Sequence, residues 1–252
     1  FDTCKEMFGR DIFGQGYIFR IITPNEIANV NEMTIDEKTN GFKNTTKCYV
    51  PYDKGDKDGN RWFLPTQYYI NWSNQSLNSL KTSKQSRWQG YSFYFREGFC
   101  WSDVHTISLK FRLKPQSVHD VKSMSLFNCL SESIVSEKYI LAVMNSTFMS
   151  DFIHNFINNT STCQINDSRR APIIIPNEES LNKINSLVDS AIDIKKRLFN
   201  GDISESDSEE SLLKIQCKID DIVYEIYGIN PHSSKIKFKP IETNPNEIYS
   251  LN

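Results

Sequence analysis

The sequence predicts an α+β fold, a β-rich mixed domain followed by an antiparallel C-terminal helical hairpin. Residues 47–114 break into short aromatic, β-branched or alternating runs separated by turn residues, the signature of strands. From residue 136 the apolar residues recur every three or four positions instead, which is helical spacing. Two such stretches close the chain with only a short polar break between them, so they should fold back on each other.

Within 47–114, Tyr68-Tyr69-Ile70, Tyr91 to Phe95 and Ile107 to Leu113 are the expected strands. Asp53-Lys54-Gly55-Asp56 and Asp58-Gly59-Asn60 are the expected turns. Ile140, Met144, Phe148, Phe152 and Phe156 follow at intervals of four, with Tyr139 and Val143 beside them, and predict one amphipathic helix over 136–158. Short strands are expected near Thr162 to Ile165 and at Pro172 to Ile175. Leu181, Ile184, Val188, Ala191, Ile192 and Leu198 define the next helix. Asn177 is its N-cap, and Glu178 and Glu179 complement the dipole in its first turn. The polar stretch Asn200 to Ser208 breaks it. Leu212, Ile215, Ile219, Ile222 and Ile226 then form a coiled-coil-like seam, with Ser206 and Glu209 as a capping box and Gly228 and Pro231 as stops. The organisation expected is 1–46 as a lead-in, 47–176 as the β-rich domain, 177–230 as the hairpin or spacer, and 231–252 as a loosely held tail.

At 252 residues, with 38% hydrophobic and 12% aromatic residues, the chain can bury a sizeable core and is not disordered. Phe1 rather than Met opens it, as expected of an excised piece. No run approaches the roughly 18 apolar residues of a membrane span, and no basic-then-apolar leader is present. The six cysteines are scattered without a CxxC pair, so buried, reduced thiols of a cytoplasmic protein are expected. Triplets such as Asn158-Asn159-Thr160 reflect an Asn-rich composition.

The net charge of −2 hides an uneven distribution. Residues 47–114 carry 11 basic and 5 acidic groups, a net of +6, and 171–230 carry 6 and 12, a net of −6. All four tryptophans, Trp62, Trp72, Trp88 and Trp101, lie in the basic segment.

Catalytic signals are weak. Phe13-Gly14-Gln15-Gly16 lacks the third glycine and the following helix of a cofactor loop, and reads as a turn. Asp189 with Asp193-Ile194-Lys195 imitates the acidic-plus-lysine set of a metal nuclease but falls on the polar side of a helix. His105, His119, His154 and His232 share no ligand spacing, and His119-Asp120 is an isolated pair. No metal or catalytic residue is assigned.

The basic, aromatic segment remains. Lys and Arg on loops neutralise phosphates, while Arg, Asn and Gln reach base edges. Arg61, Lys81, Lys84, Arg87 and Arg96 are candidates, with Gln85 and Gln89 nearby. Residue chemistry leaves three readings open here. The segment binds DNA, or it is a protein- or glycan-interaction module using an aromatic face, or Trp62, Trp88 and Trp101 are core and the charges ordinary surface.

An ordered series of motifs carries a resemblance. Lys47-Cys48-Tyr49-Val50-Pro51-Tyr52-Asp53-Lys54-Gly55 is followed by Asn60-Arg61-Trp62, Tyr69-Ile70-Asn71-Trp72, Phe93 to Ser102 and Ser123-Met124-Ser125-Leu126-Phe127. Tyr139-Ile140-Leu141, Asn145-Ser146, Cys163-Gln164-Ile165-Asn166-Asp167 and Ile173-Ile174-Ile175-Pro176 then run into the helical pair. Over about residues 45–228 the series resembles the C-terminal specificity region of adenine-specific DNA methyltransferases of restriction-modification and related phage-defence systems. These include single-chain type II, type IIG-like enzymes. The Ile-Pro step before a helix is similar to junctions in TaqI-like and type I specificity subunits.

The resemblance implies a target-recognition domain that reads double-stranded DNA in a bacterial cytoplasm. The methyltransferase domain of the same polypeptide would bind S-adenosylmethionine and flip the adenine. No Asn-Pro-Pro-Tyr segment, and no Pro-Pro pair, occurs here to form that adenine pocket. Gly14 to Ile21 would be the opening strand of the lead-in. Tyr94, Phe95, Gly98 and Trp101 would be scaffold, and specificity would lie in Lys81 to Gln89 and His105 to Lys110. Arg61, Arg96 and Arg169 would be phosphate clamps or buried ion-pair partners. The acidic hairpin would pack on the catalytic domain or act as a spacer.

Overall fold

The computed structural model describes residues 22–56, 59–84, 86, 88, 90–102, 109–160 and 162–230. The fold is α+β, with two small three-stranded sheets and a long C-terminal helix pair.

The first sheet has the order β2-β1-β5. Strand β1 (Tyr49–Asp53) pairs antiparallel with β2 (Tyr68–Asn71), Tyr49 opposite Asn71 and Tyr52 opposite Tyr68. On its other edge it pairs in parallel with β5 (Val118–His119), Tyr52 opposite Val118 and Asp53 opposite His119. The second sheet has the order β4-β3-β6 and is antiparallel throughout. Its strands are β3 (Gly98–Ser102), β4 (Arg112–Lys114) and β6 (Ser123–Leu126).

Each sheet has its own core. Val50, Trp72, Leu77, Phe95 and Val118 fill the smaller one, together with Val30 from a 3-10 turn and the flanking Ala28 and Met33. Helix α1 (Ile35–Asn40), opened by a Thr34–Glu37 capping box, closes over it. The Trp72 indole donates to the Glu37 carbonyl at 3.1 Å. The larger core joins Phe99, Trp101, Phe111 and Trp62 to the helices described next.

The C-terminal hairpin forms as its spacing predicts. Helix α6 (Glu178–Asn200) starts at Asn177, whose side chain accepts from the Ser180 amide, and α7 (Glu205–Ile226) follows after a short loop. Ile184, Val188 and Ala191 of α6 meet Ile215, Ile219 and Val223 of α7 in one buried cluster. The seam is not free-standing. It closes over the second sheet through α3 (Glu137–Asn145) and α4 (Thr147–Phe152), which belong to the same cluster.

Several expectations are corrected. The segment between β2 and β3, expected as loop with a strand at Tyr91 to Phe95, contains neither the strand nor a loop throughout. Asn74–Thr82 is a helix, α2, capped by Ser73, with Leu77 buried. Tyr91–Phe93 is a 3-10 turn that follows Gly90 at φ 69°. The single helix over 136–158 is interrupted at Ser146, whose hydroxyl donates to the Val143 carbonyl and accepts from the Met149 amide. One residue thereby ends α3 and begins α4. After α4 the backbone widens into a π turn at Ile153–Ile157, which leaves Phe156 65% exposed.

Residues 162–165 form no strand. Gln164 precedes a one-turn helix, α5 (Ile165–Ser168), because the Asp167 carboxylate accepts from the Gln164 amide. Pro172 to Ile175 is extended but pairs with no strand, and the Ile174 carbonyl accepts from the Tyr139 hydroxyl instead. The cap of α7 is Ser204 with Asp207, two residues ahead of the expected Ser206 and Glu209. Cys129 and Cys217 are exposed, whereas Cys48, Cys100 and Cys163 are buried, all with free thiols. Among the described residues no helix is long and apolar enough to cross a membrane. The Phe13–Gly16 turn, the 14–21 strand, Pro231 and the tail lie outside the described residues, as do Ile107 and Ser108 of the Ile107–Leu113 run, whose last two residues fall in β4.

Candidate nucleic-acid interface

A cleft of about 890 Å³ opens on the seam between the two sheets. The first sheet supplies Tyr52, Ile70, Val118 and His119, and α2 supplies Leu80. Ser86, Trp88, Gly90 and Tyr94 come from the connection to β3, and Ser123, Met124 and Ser125 from β6. Gln164, Ile165, Asn166 and Arg169 come from α5 and its ends. Its volume lies in the range of roughly 300–1,000 Å³ typical of ligand sites.

The aromatic side of the cleft is a stacked series. Trp88 lies between Trp72 at 5.9 Å and Tyr91 at 6.0 Å, with ring planes within about 20° of parallel. The Tyr94 ring is nearly perpendicular to Trp88 at 5.5 Å and to His119 at 4.9 Å. Gly90 is required beside this edge, because a Cβ there would come within 2.8 Å of His119 Nε2.

Electrostatics keep the cleft's titratable groups in defined states. Burial, helped by the nearby Lys114 ammonium, lowers the His119 pKa to about 4, so the imidazole is neutral at physiological pH. Its Nδ1 is buried without a hydrogen-bond partner among the described residues. Burial and the adjacent Asp120 carboxylate, which accepts from the Tyr52 hydroxyl, raise the Tyr52 phenol far above its usual value. Tyr94 is raised for the same two reasons, burial first.

A buried polar network lies beneath. Asp53, on β1, accepts from the Arg112 guanidinium of β4 at 2.8 Å and from the Ser123 hydroxyl of β6 at 2.6 Å. Burial alone would raise its pKa, but Arg112 and hydrogen bonds from Ser123 and Cys100 outweigh that and hold it below the usual value. Lys114 is only 1% exposed, and its ammonium donates to the carbonyls of Arg96, Pro115 and Ser117. Burial lowers its pKa to about 8.

The sequence-predicted residues separate into three places. Arg169 lines the cleft, and Lys81, exposed at the end of α2, holds its ammonium 5.6 Å from the Trp88 ring centroid. Lys84 is exposed in the turn after α2. Arg96 lies 5.3 Å over the Phe93 ring, which stacks on Phe127, itself 6.1 Å from the His119 ring. Arg61 and Lys110 are elsewhere. The Arg61 guanidinium donates to Gln216 of α7 at 3.3 Å and to the Leu109 carbonyl, and burial lowers its pKa. The Lys110 side chain packs against Gly59. Gln85, Arg87, Gln89 and His105 lie outside the described residues.

Sequence reading passed over Tyr52, His119 and Asp120 as cleft residues. Their one signal was the adjacent pair His119-Asp120. The residues with nuclease-like spacing have other partners, Asp189 pairing with Lys138 at 2.6 Å and Lys195 donating to Asn60 at 2.8 Å. Among the described residues no group of three or more His, Cys, Asp or Glu side chains is placed to hold a metal ion.

The chain matches no family model. It is 25% identical over 215 residues to the adenine-specific methyltransferase BrxX of Escherichia coli O9:H4 (strain HS). That similarity takes in 75% of this chain but only 17% of the length of that protein.

Proposed function

We propose that the chain is the target-recognition part of an adenine-specific DNA methyltransferase of a restriction-modification or related phage-defence system, and that it binds double-stranded DNA sequence-specifically. The similarity to an adenine-specific methyltransferase, over three quarters of this chain, carries the reading. Methyl transfer from S-adenosylmethionine belongs, in this reading, to the remainder of the parent polypeptide, and a TaqI-like specificity domain is the class of module that fits the ordered motifs. Lys81, Lys84 and Arg169 contact the duplex near the cleft, and Gln85, Arg87 and Gln89 add contacts to it. Arg96 adds a phosphate contact beside it. Arg61 serves the attachment of the hairpin.

The burial of the aromatics supports this reading over a glycan- or protein-binding platform. Trp62, Trp72 and Trp101 are 2% exposed or less, and the half-buried Trp88 has rings on both faces. They offer no broad open aromatic surface.

Selection from a randomised pool of duplexes at near-physiological salt, followed by sequencing, tests the proposal. Enrichment of a short motif is the expected result. Salt-sensitive retention without a motif would assign sequence choice to the whole parent enzyme. No retention at any salt would overturn DNA binding by this chain.

A further inference from the structure

The two sides of the cleft differ in chemistry. One is aromatic, with Tyr52, Trp88 and Tyr94, and the other is polar, with Ser125, Asn166 and Arg169. A planar ring needs that combination: faces to stack on and hydrogen-bonding groups at its edge. Asp120 supplies an acceptor fixed in place by the Tyr52 hydroxyl, and a carboxylate accepts from an amino group. Arg169 is a permanent cation with a fork that matches phosphate oxygens. The Lys81 ammonium near Trp88 puts a second positive charge on the aromatic side. A neutral sugar would use the rings but not the two cations.

We propose that this cleft binds one nucleoside monophosphate unit, its base against Tyr52 and Tyr94, an exocyclic amino group on Asp120 and its phosphate on Arg169. The unit has two sources. It is a nucleotide turned out of the DNA stack, which rests on the recognition reading above, or a free nucleotide, which does not. Extrusion from a duplex costs unstacking energy that is smallest for an unpaired base, so a bulged nucleotide is the natural probe.

The test titrates the 252-residue chain, followed by tryptophan fluorescence, with dCMP and TMP, and with two duplexes of one sequence, fully paired or carrying one unpaired deoxycytidine. The bulged duplex is expected to bind about tenfold tighter than the paired one, the scale of a single base–aromatic stack. Saturation by dCMP should be tighter than by TMP, which lacks the amino group. Arg169→Gln and Asn166→Ala, both at exposed positions where folding is not at stake, should remove the bulge preference. Arg170→Gln, exposed but outside the cleft, should keep it.

Saturable dCMP binding with no duplex binding would support the nucleotide site and refute the recognition reading. A bulge preference without saturable dCMP binding would support the site with DNA as its source. Equal affinity for both duplexes together with no saturable nucleotide response would overturn the proposal and leave duplex recognition standing. A bulge preference that survives both Arg169→Gln and Asn166→Ala would overturn it as well.

Discussion

Asp53 and Arg112 belong to different sheets, and their side chains meet at 2.8 Å with the guanidinium 3% exposed. This pair, with Ser123 as a third member, ties the first sheet to the second, and Ser123 also lines the cleft. Removing one partner strands a buried charge. Asp53→Ala should therefore cost about 3–5 kcal/mol, while Asp53→Leu combined with Arg112→Met should cost less than Asp53→Ala alone. Urea unfolding of the variants measures the difference. Additive costs in the double variant would show that the pair does not act as a unit.

Gly98 is constrained by contact, not by its backbone angle. A Cβ at this position would lie 2.5 Å from the Leu126 carbonyl oxygen of the neighbouring strand and 2.8 Å from the Phe127 ring. Gly98→Ala should push β6 away and destabilise by about 1–3 kcal/mol. A thermal midpoint within a degree of the parent's would contradict this packing.

Two groups give stability opposite pH slopes. Burial, with Glu132 and Glu97 nearby, raises the Glu137 carboxyl to about 7 against the Asn128 amide that lowers it. A raised carboxyl contributes stability that is full below its unfolded value of 4.5 and is lost as pH rises towards 7. His119, lowered to about 4, contributes stability that is present above 6.5 and is lost as pH falls through 4. Over their shared window the slopes oppose. Glu137→Gln should leave stability rising with pH between 4 and 6.5, and His119→Gln should leave it falling between 4.5 and 7. Denaturant midpoints across pH 4–7.5, chosen to span both windows, check this, and a Glu137→Gln curve parallel to the parent's would refute it.

Ser146 closes one helix and opens the next with a single hydroxyl. Ser146→Ala should cost about 1–2 kcal/mol, the usual price of a lost N-cap, although almost no volume changes. Hydrogen exchange at the Met149 amide should quicken with it. Unchanged protection there would mean that the cap contributes nothing.

Arg169 lines the cleft, and Lys81, from a distant part of the chain, holds its ammonium 5.6 Å from the Trp88 ring of the same cleft. If they contact phosphates, Lys81→Gln with Arg169→Gln should reduce the slope of log affinity against log salt by about 2, one for each charge. Filter binding at several salt concentrations gives the slope. Loss of affinity with an unchanged slope would assign them another role.

The long helices were legible because their apolar residues repeat over four or more turns, from Leu181 to Leu198 and from Leu212 to Ile226. Helix α2 was not, since Leu77 and Leu80 are its only apolar residues and its neighbourhood is rich in strand formers. The break at Ser146 was hidden because the four-residue apolar spacing continues through it. At the cleft, Lys81 and Arg169 stood out as charges on exposed segments. Tyr52, His119 and Asp120 did not, because they meet through parallel pairing of β1 with β5, about 65 residues apart, and such pairing leaves no local trace. The direction of Arg61 was equally invisible, as its partner Gln216 lies 155 residues away.

The hairpin's buried stripe and the second sheet share one apolar cluster. A truncation between Pro176 and Asn177 would uncover Val143, Met144 and Phe111 along with the helix stripe, so the two parts unfold as one cooperative unit. The smaller core behind the cleft has no share in that cluster. Over evolutionary time, substitutions in the smaller core can accumulate without uncovering the hairpin's stripe, whereas Met124 and Ile165, across the cleft, pack on the larger cluster. The molecule thus separates one wall of the cleft, free to diversify, from a frame that is inherited whole.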